Sequence, residues 1–146
     1  MNQQLRLWLL PALIVIAAAG CKARLADPAT YEKTLLRFGS GGGFTGAVTE
    51  YCLLDNGQVF VKRSPEGAYE PVQTVSKKTA RALIAQAAAP ELAGLSFNRP
   101  GNMYSFLELP GESGPNRIAW ASGDDKLPEA ARSLYSALMA LTSVSQ

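Results

Sequence analysis

Histidine is absent from this chain of 146 residues, and cysteine occurs only twice, at Cys21 and Cys52. Without an imidazole, Ser-His-Asp and Cys-His nucleophilic catalysis are excluded, as are zinc sites of the usual His-containing kinds. A surplus of one charge is missing too: the formal net charge is +2. Its only basic doublets, Lys62-Arg63 and Lys77-Lys78, read as solvated faces. A nucleic-acid-binding surface needs clustered Lys and Arg, so no nucleic-acid partner is expected. Nor is there an apolar run of the ~20 residues that cross a bilayer as a helix. No cofactor and no metal are expected.

What is present begins at the N-terminus. Arg6 precedes an apolar run of 13 residues, Leu7–Ala19, which ends in Ala18-Ala19-Gly20-Cys21. A positive start, a short apolar stretch and small residues at the cut are the layout of a secretory signal. Small residues running directly into Cys resemble the lipobox of bacterial lipoproteins, here with Ala18 where that family more often carries Leu. The resemblance implies that Met1–Gly20 is a signal peptide and that Cys21 is lipidated and becomes the first mature residue. The alternative is an ordinary signal peptide cut near Ala19. Several acyl chains on one Cys anchor a protein stably without spanning the membrane. Lys22 stands where Asp favours inner-membrane retention in the lipoproteins this resembles, which implies the outer membrane, on its periplasmic or surface face. From Cys21 onward 126 residues remain, carrying 13 Lys and Arg against 12 Asp and Glu, enough for one domain with a core. Residues 21–32 read as lipid anchor and polar tether, and 33–146 as a single α+β domain. With Cys21 lipidated no disulfide to Cys52 is expected, and Cys52, in an apolar strand pattern, reads as a core thiol.

Thr34–Phe38 reads as a first strand and Gly39–Gly46 as a flexible Gly-dense loop. Ala47–Leu54 and Gln58–Arg63 flank Asp55-Asn56-Gly57, a hairpin turn because Asn and Gly accept positive φ. Ser64–Pro71 reads as a loop. Ser76 is an N-cap for a helix over Lys77–Ala89, where Ala80, Leu83, Ile84 and Ala87 recur at helical spacing. Asn98–Gly101 reads as a turn. Asn102–Leu109 and Asn116–Ala121 alternate as a second hairpin. Leu127, Ala131, Leu134, Tyr135, Leu138 and Leu141 form an apolar stripe on a helix over Pro128–Leu141. The order β, β-hairpin, α, β-hairpin, α predicts one mostly antiparallel sheet of about five strands with two helices packed on one face.

Gly41, Gly43 and Gly46 match G-x-G-x-x-G, but the run opens a strand and not a helix, and no Lys-Ser/Thr pair follows, so nucleotide binding is not expected. The plain account of these glycines is backbone freedom. The functional one is a surface contact loop, Gly42, Gly43, Phe44, Thr45 and Gly46, with Phe44 as its aromatic. Asp124-Asp125 reads as a cap or solvated turn, or as an acid pair. Glu108 and Glu112 show no evident partner. Tyr104, Phe106 and Trp120 read either as cross-strand packing or as one aromatic patch.

Gly42-Gly43-Phe44-Thr45-Gly46 is similar to the Gly-Gly-Phe-Ala-Gly of the emfourin family, small bacterial inhibitors of thermolysin-type metallopeptidases. The later strand pair, Asp124 through Leu127-Pro128, and the spaced Leu134, Leu138 and Leu141 resemble that family's closing strand–strand–helix. The Asp55-Asn56-Gly57 hairpin, the longer Gly run and the anchor are departures. The resemblance implies a non-catalytic protein-binding module, with metallopeptidase inhibition as its candidate activity, that makes contact through Gly42–Gly46. The alternatives are a structural envelope lipoprotein with no specific ligand, and a carboxylate-based hydrolase built on Glu108, Asp124 and Asp125.

Overall fold

The computed structural model describes residues 24–143; the signal segment Met1–Gly20 and Cys21 lie outside the described residues. Nine elements follow in chain order: β1 (Leu35–Gly42), β2 (Ala47–Leu54), β3 (Gln58–Lys62), β4 (Glu70–Thr74), α1 (Lys77–Ala87), β5 (Asn98–Arg99), β6 (Met103–Leu109), β7 (Asn116–Ala121) and α2 (Glu129–Ala140). The strands form one sheet in the order β4-β3-β2-β1-β6-β7-β5. Every pairing is antiparallel except β5 with β7. The class is α+β with a single sheet and two helices. The strands number seven rather than about five. The two additions are the edges, β4 and β5. β4 contains Pro71 and β5 stops before Pro100, and proline is tolerated only where a strand has no neighbour needing its N–H. In sequence those prolines read as loop and turn.

Turn chemistry and periodicity set most of the other bounds. Gly57 takes φ +96, its N–H donates to the Leu54 carbonyl, and Asn56 Oδ1 accepts from Gln58 N–H, which closes the β2–β3 hairpin. Ser76 Oγ accepts the Thr79 N–H at 3.0 Å and starts α1; Pro128 stands just before α2. The alternating residues Leu36 and Phe38 on β1, Leu53 on β2, Val59 on β3, Leu107 and Leu109 on β6, and Ile118 and Trp120 on β7 pack against Ala80 and Ala87 of α1 and Ala131, Leu134 and Leu138 of α2. Both helices therefore cover one face. Each fully buried Leu, Ile or Phe stabilises the fold by ~1.5–3 kcal/mol. Tyr135 of α2 meets Trp120 edge to face, and its hydroxyl donates to the Gly39 carbonyl of the central strand at 3.1 Å.

The Gly-dense run departs most from expectation. β1 does not stop at Phe38. It continues to Gly42 as the central strand, pairing with β2 on one side and β6 on the other, so only Gly43–Gly46 is a turn. Gly39 is required by crowding: a Cβ there would stand 2.1 Å from the Thr49 carbonyl oxygen and 3.1 Å from the Phe106 ring. At Gly41 a Cβ would meet the Tyr104 hydroxyl at 2.7 Å. The β6 aromatics lie across the bare backbone of β1. Trp120 faces the helices while Phe106 pairs with Ala119, one position along β7, so Tyr104, Phe106 and Trp120 do not form a single patch.

Candidate functional site

Phe44 sits at the tip of the β1–β2 turn and is fully exposed, and Thr45 beside it is exposed too. Gly43 and Gly46 adopt φ +78 and +62, and Gly42, the last strand residue, φ +102. The Gly46 N–H donates to the Gly43 carbonyl, and the Gly43 N–H donates to the Asn102 carbonyl at 2.8 Å, fastening the turn to the start of β6. Met103 lies beside Gly43 with its sulfur toward that residue, and it too is exposed. Among the described residues the large apolar side chains exposed to solvent are Leu25, Phe44 and Met103, so two of the three share this tip. Of the residues singled out in sequence, Gly42 belongs to the strand and Gly43, Phe44, Thr45 and Gly46 to the turn. A strand-to-strand turn presents no helix N-terminus to a phosphate, so the geometry for a dinucleotide is not formed here.

The sheet face opposite the helices carries a second arrangement. Arg117, Glu108, Arg37, Glu50 and Lys62 occupy neighbouring positions on β7, β6, β1, β2 and β3 and alternate in sign. Glu108 meets Arg37 at 3.4 Å and Arg117 at 3.8 Å; Glu50 meets Lys62 at 3.5 Å and Arg37 at 3.9 Å. The Tyr69 hydroxyl donates to Glu50, and burial together with that bond pushes its pKa well up. The Arg117 guanidinium lies 3.8 Å from the Phe106 ring centre. Each charge is answered by its neighbour, and such partly buried pairs, still open to solvent, are worth on the order of 1 kcal/mol each. The chemistry is cross-strand stabilisation, with no carboxylate held apart as an acid. In sequence Glu108 shows no partner and Lys62 reads as a solvated face, because the ladder exists only through strand register.

Below this ladder Cys52, Leu54 and Phe60 form a smaller buried cluster, closed by Ala26, Tyr31, Leu35 and Tyr69. Cys52 is a free thiol without exposure, and burial pushes its pKa to about 12. It is held as the inert protonated form. Asp124 Oδ1 accepts the Lys126 N–H at 3.0 Å and its other oxygen pairs with Arg99, which is turn capping. Glu108 lines an open depression with Glu32, Arg37 and Asp55, not with Asp124 or Asp125. Among the described residues no group of three His, Cys, Asp or Glu side chains could hold a metal ion, and no helix is long and apolar enough to cross a membrane.

Arg24–Thr30, read in sequence as part of a tether, lies against the sheet. The Gln58 side chain accepts the Ala26 N–H at 2.9 Å and donates to the Arg24 carbonyl at 3.1 Å, and Pro28 is buried. The Tyr31 hydroxyl donates to Asp55 in the β2–β3 turn. The signal for this contact was Gln58 itself, a polar residue at the start of an apolar strand.

No protein-family model matches the chain, and no curated protein matches it in sequence.

Proposed function

We propose that the protein is an envelope lipoprotein, lipidated at Cys21 and placed by Lys22 in the outer membrane, whose folded domain is a non-catalytic module that binds a protein partner. The contact is the Gly42–Gly46 segment with Phe44 as anchor, and the partner class is a peptidase, a thermolysin-type metallopeptidase being the candidate that the emfourin resemblance names. The observation that carries the reading is Phe44: a fully exposed aromatic beside exposed Met103, on a turn that continues the central strand and is fastened to the start of β6. A tip whose backbone is hydrogen-bonded before binding has less conformational freedom to lose on docking. Aromatic side chains that fill a partner's pocket are the residues whose truncation costs 2 kcal/mol or more.

The mature domain, Lys22–Gln146, used as bait on envelope extract, is expected to recover a peptidase and to inhibit it stoichiometrically. Phe44→Ala is expected to weaken that complex by ~30-fold or more, the equivalent of ~2 kcal/mol, with no change in unfolding midpoint since the side chain touches nothing. Unchanged affinity removes the turn from the interface. Absence of any partner at micromolar concentration leaves a structural envelope component as the better account.

A further inference from the structure

The chain enters the domain at one end of the sheet, and the Phe44 turn stands at the other. Arg24 and Ala26 are bound to Gln58, the first residue of β3, beside the Asp55–Gly57 turn. Leu35 pairs with Leu54 next to that turn, and β1 runs from there to Gly42. Eight strand residues separate the two ends by ~27 Å at ~3.4 Å each. If Cys21 carries the lipid, two residues, Lys22 and Ala23, join it to Arg24, and three residue-to-residue steps reach at most ~11 Å. The headgroup layer beneath, ~5–7 Å deep on each side of the hydrocarbon, takes up about half of it. An anchor this short leaves the domain little room to turn over.

The side chains around the entry point suit a lipid surface. Leu25, next to Arg24, is 56% exposed. Val75 N–H donates to the Gly57 carbonyl, which sets the first turn of α1 here, with Lys77, Lys78 and, one turn on, Arg81, all exposed. Arg24 and Lys33 are exposed at the same end. Among the described residues none of these five is in an ion pair. Asp27, Glu32 and Asp55 stand among them, with Asp55 engaged by Tyr31. Glu112, in the β6–β7 turn, lies on the far side of the same end, beside Ala88 and Ala93, which follow α1. Cations are drawn to an anionic leaflet. The first turn of α1 is therefore the cationic side of this end, and the β6–β7 turn lies on the other side.

We infer that the Asp55–Gly57 end of the domain and the first turn of α1 rest on an anionic lipid surface, holding the protein upright with Phe44 and Met103 directed away from the membrane. The inference rests on lipidation of Cys21. The seven-residue docked segment Arg24–Thr30 is what converts a lipid anchor into an orienting one.

The test uses the full lipoprotein, isolated with its acyl chains and placed in vesicles of phosphatidylethanolamine and phosphatidylglycerol. A fluorophore is attached through Thr34→Cys at the entry end or through Thr45→Cys at the tip; Cys52 is buried and does not compete. A short-range quencher is carried on the lipid headgroups. Quenching several times stronger at position 34 than at 45 is expected. The charge reversal Lys77→Glu/Lys78→Glu/Arg81→Glu, on an exposed helix surface, is expected to narrow that difference. Equal quenching at the two positions overturns the upright orientation; a difference untouched by the charge reversal overturns the role given to the cations. Mass spectrometry of the N-terminal peptide separates the two levels. A Cys21 without acyl chains overturns the lipoprotein reading and this inference with it, whereas an acylated Cys21 with equal quenching overturns only the orientation.

Discussion

Gly39 and Gly46 belong to the same run, yet they are glycine for different reasons. At Gly39 a methyl group would stand 2.1 Å from a backbone oxygen of the neighbouring strand, and a central strand cannot step aside. Gly39→Ala is expected to destabilise the domain by about 3 kcal/mol, the upper end of what overpacking costs. Gly46 has open space around it and needs only its positive φ, so Gly46→Ala is expected to cost ~1 kcal/mol from backbone strain alone. Denaturant titration of the two variants measures both; equal losses would show that Gly39 is not crowded. The density of glycine was legible in the sequence, but the purpose of Gly39 was not. The atoms that crowd it come from Thr49 and Phe106, ten and 67 positions away, and only pairing brings them there.

Elements whose signals are local were read closely from the sequence. The Asp55-Asn56-Gly57 turn, β7 and the Ser76 cap of α1 are set by turn chemistry, two-residue alternation and a side-chain cap, all contained within a few residues. The edge strands were not, since β5 has two residues and two residues show no period. The docked Arg24–Thr30 segment belongs to the same class: it has no regular structure, and its partner is Gln58. Replacing Gln58 by Ala removes the acceptor for the Ala26 N–H and the donor to the Arg24 carbonyl, at ~1–3 kcal/mol for the polar groups left unmade. Amide exchange is the sensitive readout. Ala26 is expected to lose its protection while Leu53 and Ile118, in the core of the sheet, keep theirs. An Ala26 amide as slow to exchange as before would mean the segment is held by something other than this side chain.

Across the whole molecule, Cys52 reports on how the two faces of the sheet are closed. The helices cover one face, and Arg24–Tyr31 with Tyr69 cover the cluster that contains the thiol on the other. Native protein is expected to resist a thiol reagent at pH 8 and to react at once in denaturant. The sign of the pH dependence follows from the upward shift. Unfolded, the thiol ionises near 9.0; folded, it keeps its proton to about 12. Its contribution to stability is complete below pH 9 and is lost as pH rises toward 12. Between pH 9 and 11 the native chain should therefore lose stability more steeply than Cys52→Ala. Parallel slopes in chemical unfolding would remove the thiol from the linkage.

By itself the sequence determined the α+β class, a single sheet with two helices, the hairpin turns, and the exclusion of imidazole chemistry. It also held the motif at Met1–Cys21 and the lone exposed-looking aromatic at Phe44. These follow from composition and from periods of two and 3.6, which neighbouring residues impose on one another. Tertiary structure decided that the glycine run is the central strand, that Arg37, Glu50, Lys62, Glu108 and Arg117 answer one another across five strands, and that the chain enters at the end opposite Phe44. Each depends on which strands lie side by side. That choice is made by burying the apolar faces of all of them together, and no single stretch of the chain contains it.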